Sequence, residues 1–140
     1  MAEKYHLDKL EFYITNVCNL TCSNCNRYNN FHFRGWAAWD NYADNLRQWA
    51  EKIHVQKPVI LGGEPLLNPD LEHWIHGIAG LWPDANIFII TNGTQLKNRP
   101  DLFGILKHYR GRVRIDIHRH NPGHWETLQQ DVEKIGRAHV

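Results

Sequence analysis

Residues 58–65 read PVILGGEP and decide the fold, because an apolar run stops here at two glycines. The run over residues 59–61 is apolar at every position, which predicts a strand that is buried on both faces. Strands of this kind are typical of parallel sheets that lie between layers of helices. The strand is predicted to end in a turn of four residues, Gly62, Gly63, Glu64 and Pro65.

A strand followed by a helix is predicted four times along the chain of 140 residues. The predicted strands cover residues 10–15, 58–61, 86–91 and 113–117, where β-branched and aromatic residues are concentrated. Helices are predicted to follow them, because apolar residues recur there at helical spacing. This order favours a parallel sheet with right-handed crossovers, so the predicted fold is one domain of the α/β class.

All four predicted helices carry apolar residues, and those of the first two are predicted to face the core. The stripe of the first helix consists of Trp39, Tyr42, Leu46, Trp49 and Ile53. The stripe of the second helix, which begins near Asp70, consists of Leu71, Trp74, Ile75, Ile78 and Leu81. The third helix, after Pro100, carries Leu102, Phe103, Leu106 and Tyr109. The last helix is predicted to begin near His124 and to carry Trp125, Leu128 and Val132.

All cysteines of the chain fall in one loop after the first predicted strand. Cys18, Cys22 and Cys25 are the three members, and there is no fourth cysteine. A structural zinc site closes a shell of four ligands, whereas three thiolates leave one position open for a molecule that reacts. Thiolate ligands also suit iron–sulfur clusters. The odd number of clustered cysteines fits a metal site in a reducing compartment better than a disulfide framework.

Several features follow the ends of predicted strands. They are the cysteine loop, the turn at residues 62–65, Asn92 with Gly93, and His118. In parallel α/β sheets, ligands bind at the carboxyl ends of the strands. We therefore expect these four loops to meet at one edge of the sheet and to form a single site.

With these motifs in place, the chain resembles the radical S-adenosylmethionine (SAM) enzymes over residues 10–133. The resemblance is carried by the spacing of Cys18, Cys22 and Cys25, by the turn at residues 62–65, and by residues 91–93, TNG. It implies that the three cysteines hold a 4Fe–4S cluster. The fourth iron would then be left for the amino and carboxylate groups of SAM.

The expected contacts to SAM lie on the loops after the strands. In the family, the turn at residues 62–65 contacts the ammonium group, and glycines let a backbone approach a bound cofactor closely. Asp116 lies on the polar face of the fourth predicted strand, where a carboxylate can accept hydrogen bonds from ribose hydroxyls. The residues expected to bind the cofactor are Gly62, Gly63, Glu64, Pro65, Asn92, Asp116 and His118.

The resemblance implies a radical reaction. The cluster would reduce the sulfonium of SAM by one electron, and the resulting 5'-deoxyadenosyl radical would abstract hydrogen from an unknown substrate. A low-potential electron donor such as flavodoxin or ferredoxin is expected as a partner. The family often has an aromatic residue before its third cysteine, against adenine, but Asn24 stands here. Phe31 and Phe33 are the candidate replacements.

Simpler interpretations exist for each motif. Three cysteines with His32 as a fourth ligand would make a zinc site, and the chain would then be a non-catalytic zinc or iron–sulfur binding module. Gly62 and Gly63 could form an ordinary tight turn. Asn92 with Gly93 is a common turn former in proteins of all kinds.

Charge and hydropathy exclude other classes of function. The chain has 16 Lys and Arg against 15 Asp and Glu, and it has no basic stripe for nucleic acid or an acidic membrane. No apolar run is long enough to span a bilayer, and the first residues do not resemble a signal peptide. We therefore expect a cytoplasmic protein.

The carboxyl end of the sequence predicts a truncated domain. The radical SAM core normally has six strand–helix units, so four units predict a partial parallel (βα) barrel with an open edge. Residues 135–140, IGRAHV, are the translation of ATCGGAAGAGCACACGTC, a common sequencing-adapter run. We expect residues 1–134 to be the amino-terminal portion of the core and residues 135–140 to be a non-native tail.

Overall fold

The computed structural model describes residues 2–20, 22, 25, 33–118, 126, 128–130 and 132–133. Its strands are β1 (Tyr5–Tyr13), β2 (Ile53–Leu61), β3 (Ile87–Thr91) and β4 (Val113–Ile117). Its helices are α1 (Ala43–Lys52), α2 (Leu71–Leu81) and α3 (Asp101–His108). The strands pair in the order β1-β2-β3-β4, and every pair is parallel. The predicted α/β class with a parallel sheet is therefore confirmed.

One face of the sheet is covered by the helices. A row of register partners crosses all four strands on this face and is buried throughout: Phe12, Ile60, Ile89 and Ile115. The neighbouring row points to the other face, where Glu11 and Arg114 are exposed at the two edges. Val59 lies between them in β2 and is nevertheless buried, as are the next two residues of the strand. The prediction of a strand buried on both faces is confirmed for residues 59–61.

β2 begins five residues before the predicted start at Pro58. The early part of β2 pairs only with β1, whereas β3 joins it at Val59 and Ile60. Pro58 therefore precedes the stretch that has strands on both sides. A proline has no N–H, so within a central strand it would leave one hydrogen bond between strands unformed. Its position before that stretch avoids this loss.

The predicted inward stripe of the first helix is wrong at Tyr42 and Trp49, whereas Trp39 is buried and Leu46 and Ile53 pack against the core. α1 begins at Ala43, so Trp39 lies before it in a 3-10 turn and Ile53 lies after it in β2. Within this region Tyr42 and Trp49 are 47% and 58% exposed. The helix buries its two small residues instead, Ala43 and Ala50. Small side chains let the helix axis approach its neighbours closely, and the bulky aromatic residues then face outward.

Tryptophans of the core are held by both packing and hydrogen bonds. Trp74 and Trp82, on and just after α2, lie within 6.3 and 6.0 Å of the Phe12 ring. The indole N–H of Trp74 donates to the carbonyl of Ala37, and that of Trp82 donates to the carbonyl of Ile53. Buried indoles need such acceptors. The predicted inward stripe of α2 is confirmed at Leu71, Trp74, Ile75 and Ile78, while Leu81 is half-buried.

The last described residues, at 126, 128–130 and 132–133, are helical, in agreement with the predicted final helix. Leu128 is buried and Val132 is half-buried, whereas the predicted residues His124 and Trp125 lie outside the described residues. Across the part of the chain that the structure describes, none of the helices has the length and apolar character required to cross a membrane.

Two glycines of α2 differ in their surroundings and provide a matched test of the packing. A Cβ atom on Gly77 would lie 2.1 Å from the Trp39 ring, whereas a Cβ on Gly80 would meet no atom within 4 Å. We expect Gly77→Ala to destabilise the fold by about 1–3 kcal/mol because the core would be overpacked. Gly80→Ala should stabilise it by about 0.5–1 kcal/mol through helix propensity. Urea unfolding of both variants measures the change in the free energy of unfolding. Equal changes in the two variants would contradict the close packing of Gly77 against Trp39.

Candidate functional site

The segment that leads to the cysteines is attached to the turn after β2. The N–H of Ile14 donates to the carbonyl of Leu61 at 2.9 Å, just beyond the strands. The N–H of Gly63 donates to the carbonyl of Thr15, and the N–H of Glu64 donates to the carbonyl of Val17, both at 2.7 Å. Backbone hydrogen bonds therefore join residues 14–17 to the end of β2 and to the turn after it, up to the residue before Cys18.

The two glycines of the turn make this attachment possible. A Cβ on Gly62 would lie 2.5 Å from the Thr15 carbonyl oxygen, and one on Gly63 would lie 2.3 Å from the Val17 carbonyl oxygen. Both obstacles are backbone atoms, which cannot rotate away as a side chain can. The glycines therefore allow the turn to pack against the backbone that precedes the cysteines. Their close approach to a cofactor, which the sequence suggested, stays a prediction.

Glu64 is 1% exposed and points into the protein between the ends of β2 and β3. Its Oε1 accepts hydrogen bonds from the N–H of Leu66 at 3.1 Å and the hydroxyl of Thr91 at 2.5 Å. Its Oε2 accepts from the N–H of Asn92 at 2.8 Å. Burial raises the pKa of this carboxyl, although the three donors oppose the shift. The side chain joins the two strand ends, and its predicted contact with SAM is untested.

The turn after β3 reaches back to the cysteine loop. Asn92 is 7% exposed, and its Nδ2 donates to Oδ1 of Asn19 at 3.0 Å. Asn19 in turn donates from Nδ2 to the hydroxyl oxygen of Thr94 at 2.7 Å. The hydroxyl of Thr94 donates to Oδ1 of Asn92 at 2.7 Å, which closes a ring of three side chains. The predicted meeting of these loops at one edge is therefore observed.

The residue in the middle of this turn, Gly93, has a backbone that few other residues adopt. Its φ angle is +79°, in the left-handed region. A Cβ there would also come within 3.0 Å of Leu128 and 3.1 Å of Ile117. The glycine is thus required by conformation and by packing, in addition to the general turn tendency of the sequence.

The three cysteines are thiols rather than members of disulfides, and each is half-buried. The N–H of Leu20 donates to Sγ of Cys18 at 3.5 Å, and the N–H of Cys25 donates to the carbonyl of Cys22 at 3.2 Å. Burial raises the pKa of Cys18, and the charges of Glu64, Cys22 and Cys25 raise it further.

The donor set of the loop fits an iron–sulfur cluster by its chemistry, because thiolates are the usual ligands of such clusters. Within the described residues, however, no three His, Cys, Asp or Glu side chains lie close enough together to hold a metal ion. A cluster would have to draw the three thiols together. His32, the predicted fourth ligand of a zinc site, lies outside the described residues, as do Asn24 and Phe31, while Phe33 is exposed.

Asp116 and His118 lie at the carboxyl end of β4, as predicted. Asp116 is exposed and is the register partner of Ile90. The N–H of His118 donates to the carbonyl of Thr91 at 2.9 Å, which extends the pairing of β3 and β4, and its side chain is exposed. Their predicted contacts with the cofactor stay predictions.

Sequence reasoning missed the polar residues that brace the site. Asn68 is fully buried, and its Nδ2 donates to the carbonyls of Ile14 and Ala37 at 2.9 and 3.0 Å. Arg99 donates from one guanidinium nitrogen to the carbonyls of Leu66 and Asn68. An asparagine just before a proline was the available signal for Asn68, because such pairs mark turns.

Comparison with known proteins gives a family and two relatives. The sequence model of the Radical SAM superfamily matches residues 12–139. GTP 3',8-cyclase of Aquifex aeolicus (strain VF5) is 32% identical over 136 residues, which cover 94% of this chain and 42% of that protein. GTP 3',8-cyclase of Petrotoga mobilis (strain DSM 10674 / SJ95) is 26% identical over 137 residues, which cover 95% of this chain and 42% of that protein. The chain thus spans less than half the length of these relatives.

Replacement of Gly63 tests the attachment of the cysteine segment. We expect Gly63→Ala to destabilise the fold by about 2–4 kcal/mol, because the new methyl group displaces Val17 and breaks backbone hydrogen bonds. Gly104→Ala in α3 is the matched control, since a Cβ there meets no atom within 4 Å. It should raise stability by up to about 1 kcal/mol. If urea unfolding gives the same change in stability for Gly63→Ala as for Gly104→Ala, the close contact between Gly63 and the backbone of Val17 is contradicted.

Replacement of Glu64 tests the buried carboxyl. Glu64→Gln should cost about 1–3 kcal/mol, because its NH₂ group would face N–H and O–H donors. The raised pKa means that Glu64 contributes most to stability at low pH, and that this contribution is lost as the pH rises through the raised pKa. The difference between wild type and Glu64→Gln should therefore be larger near pH ~4 than near pH ~8.

Guanidinium unfolding across this pH range provides the measurement. Glu51→Gln, at an exposed position of α1, is the control and should change stability by less than about 0.5 kcal/mol. A difference for Glu64 that grows with pH would show that the pKa of the carboxyl is lowered, contrary to the structure.

Proposed function

The chain belongs to the Radical SAM superfamily, and on this basis we propose that it binds a 4Fe–4S cluster and SAM and cleaves SAM reductively. The single observation that carries the proposal is the hydrogen bonding of Gly63 and Glu64 to Thr15 and Val17. It joins the cysteine loop to the Gly-Gly-Glu-Pro turn at one edge of the sheet. The two motifs on which the chemistry depends are therefore neighbours in space.

Cys18, Cys22 and Cys25 would hold the cluster, and the turn after β2 would receive the ammonium group of SAM. The carbonyl of Glu64 already accepts from the N–H of Leu67, and that of Pro65 accepts from Asn68. The carboxylate of Glu64 is occupied by three donors. We therefore assign the ammonium contact to the carbonyl oxygens of Gly62 and Gly63.

The remaining contacts are proposed on the loops after β3 and β4. The turn that contains Asn92 would contact the cofactor. The Asn92 side chain itself would not, because it is hydrogen-bonded to Asn19 and Thr94. Asp116 is exposed and available to accept hydrogen bonds from ribose hydroxyls, and His118 lies beside it at the rim. These residues share the carboxyl edge of the sheet with the cysteine loop.

When bound, the cluster and SAM would supply one-electron reduction and a 5'-deoxyadenosyl radical that abstracts hydrogen from a substrate. Flavodoxin or ferredoxin is the proposed electron donor. The relatives are named for a reaction of GTP, so GTP is the first substrate to test. The protein's part would be to orient the cofactor at the sheet edge and to exclude competing reactions.

Anaerobic reconstitution with iron and sulfide tests the proposal. We expect about four iron atoms per chain and a visible absorption spectrum that changes when SAM is added. Dithionite should then yield 5'-deoxyadenosine. Replacement of each cysteine by serine should abolish the response to SAM, whereas Asn16→Ala, in the same segment, should preserve it.

Two outcomes would contradict the proposal in different ways. Tight zinc binding without a response to SAM would indicate a non-catalytic metal-binding module. A cluster that responds to SAM but gives no 5'-deoxyadenosine would support cofactor binding and contradict cleavage by this chain.

A further inference from the structure

Both sequence neighbours of Cys18 are held by hydrogen bonds to the ends of strands. On one side, the carbonyl of Val17 accepts the N–H of Glu64 at 2.7 Å. On the other side, Asn19 exchanges hydrogen bonds with Asn92 and Thr94, which lie 73 and 75 residues away in sequence. Two different strand ends, those of β2 and β3, thus hold the two residues that flank this thiol.

The contact of Asn19 is specific in its chemistry. Its Oδ1 accepts from Asn92 and its Nδ2 donates to Thr94, so both ends of one carboxamide are used. Asn92 cannot turn away freely, because its Oδ1 accepts from both the N–H and the hydroxyl of Thr94, and its own N–H donates to Glu64. An exposed loop residue is therefore held by a partner that is itself fixed in the sheet edge.

We infer that Asn19 is a positioning residue, which holds Cys18 at a set place relative to the end of β3 through Asn92 and Thr94. The anchoring of Cys18 follows from these contacts alone. Its consequence for the cluster rests on the proposed function: with Cys18 fixed, a cluster held by the three cysteines would assemble at the carboxyl edge of the sheet.

Alkylation of the chain without iron tests the anchoring directly. Half-buried thiols react with iodoacetamide when the surrounding loop opens locally. Loss of the Asn19 contacts should raise the alkylation rate of Cys18 about five- to tenfold, as expected for about one hydrogen bond of net stabilisation. Asn19→Ala and Thr94→Val should both show this increase, measured on the Cys18 peptide by mass spectrometry.

Matched variants separate this role from general damage. Thr94→Ser keeps the hydroxyl and should alkylate at the wild-type rate. Asn16→Ala removes a hydrogen bond to the carbonyl of Arg34 in the same segment but touches no residue of β3, and it should also leave the rate unchanged. The double variant Asn19→Ala with Thr94→Val should be no faster than Asn19→Ala alone, because that substitution already removes both contacts of Asn19.

Wild-type rates for Cys18 in both Asn19→Ala and Thr94→Val would overturn the inference, as would an equal increase in Asn16→Ala. Thermal unfolding by circular dichroism shows whether each variant is folded. If Asn19→Ala does not fold, the alkylation rate of Thr94→Val still tests the inference. After reconstitution, iron should be lost to a chelator faster from Asn19→Ala than from Asn16→Ala. If the wild-type chain takes up no cluster, the proposed function fails, while the alkylation rates still decide the anchoring.

Discussion

Two backbone hydrogen bonds determine how the candidate site is built, those from Gly63 to Thr15 and from Glu64 to Val17. They attach the segment after β1 to the turn after β2, beyond Tyr13 and Leu61, the last register partners of the two strands. Only glycine leaves room for this approach, because a Cβ at either position of the pair Gly62 and Gly63 would strike backbone oxygen. The segment that leads to the cysteine loop is therefore fixed in place by the turn that follows β2.

Glu64 extends the same principle to the next strand. Its N–H faces the cysteine segment, whereas its carboxylate faces Thr91 and Asn92 at the end of β3. A buried carboxylate is costly unless donors surround it, and here three donors do so. Glu64 thus links the cysteine segment, the turn after β2 and the end of β3. Asn92, at the end of β3, is in turn hydrogen-bonded to Asn19.

The sequence predicted the features that depend on local pattern. Runs of apolar β-branched residues located β2, β3 and β4, and the glycines marked where β2 and β3 end. The face of α1 was misassigned because two stripes share Leu46, and tertiary packing chose the one with Ala43 and Ala50 over the one with Trp49. The sequence also could not predict that the Glu64 side chain points inward, because this depends on hydrogen-bond donors 27 and 28 residues away.

Mössbauer spectroscopy of the chain reconstituted with ⁵⁷Fe tests the proposal that Cys18, Cys22 and Cys25 hold a cluster with one open iron. Three thiolates leave one of four irons without a protein ligand, so addition of SAM should change the signal of a single iron and leave the other three unchanged. A spectrum in which SAM alters no iron, or all four equally, would contradict the account.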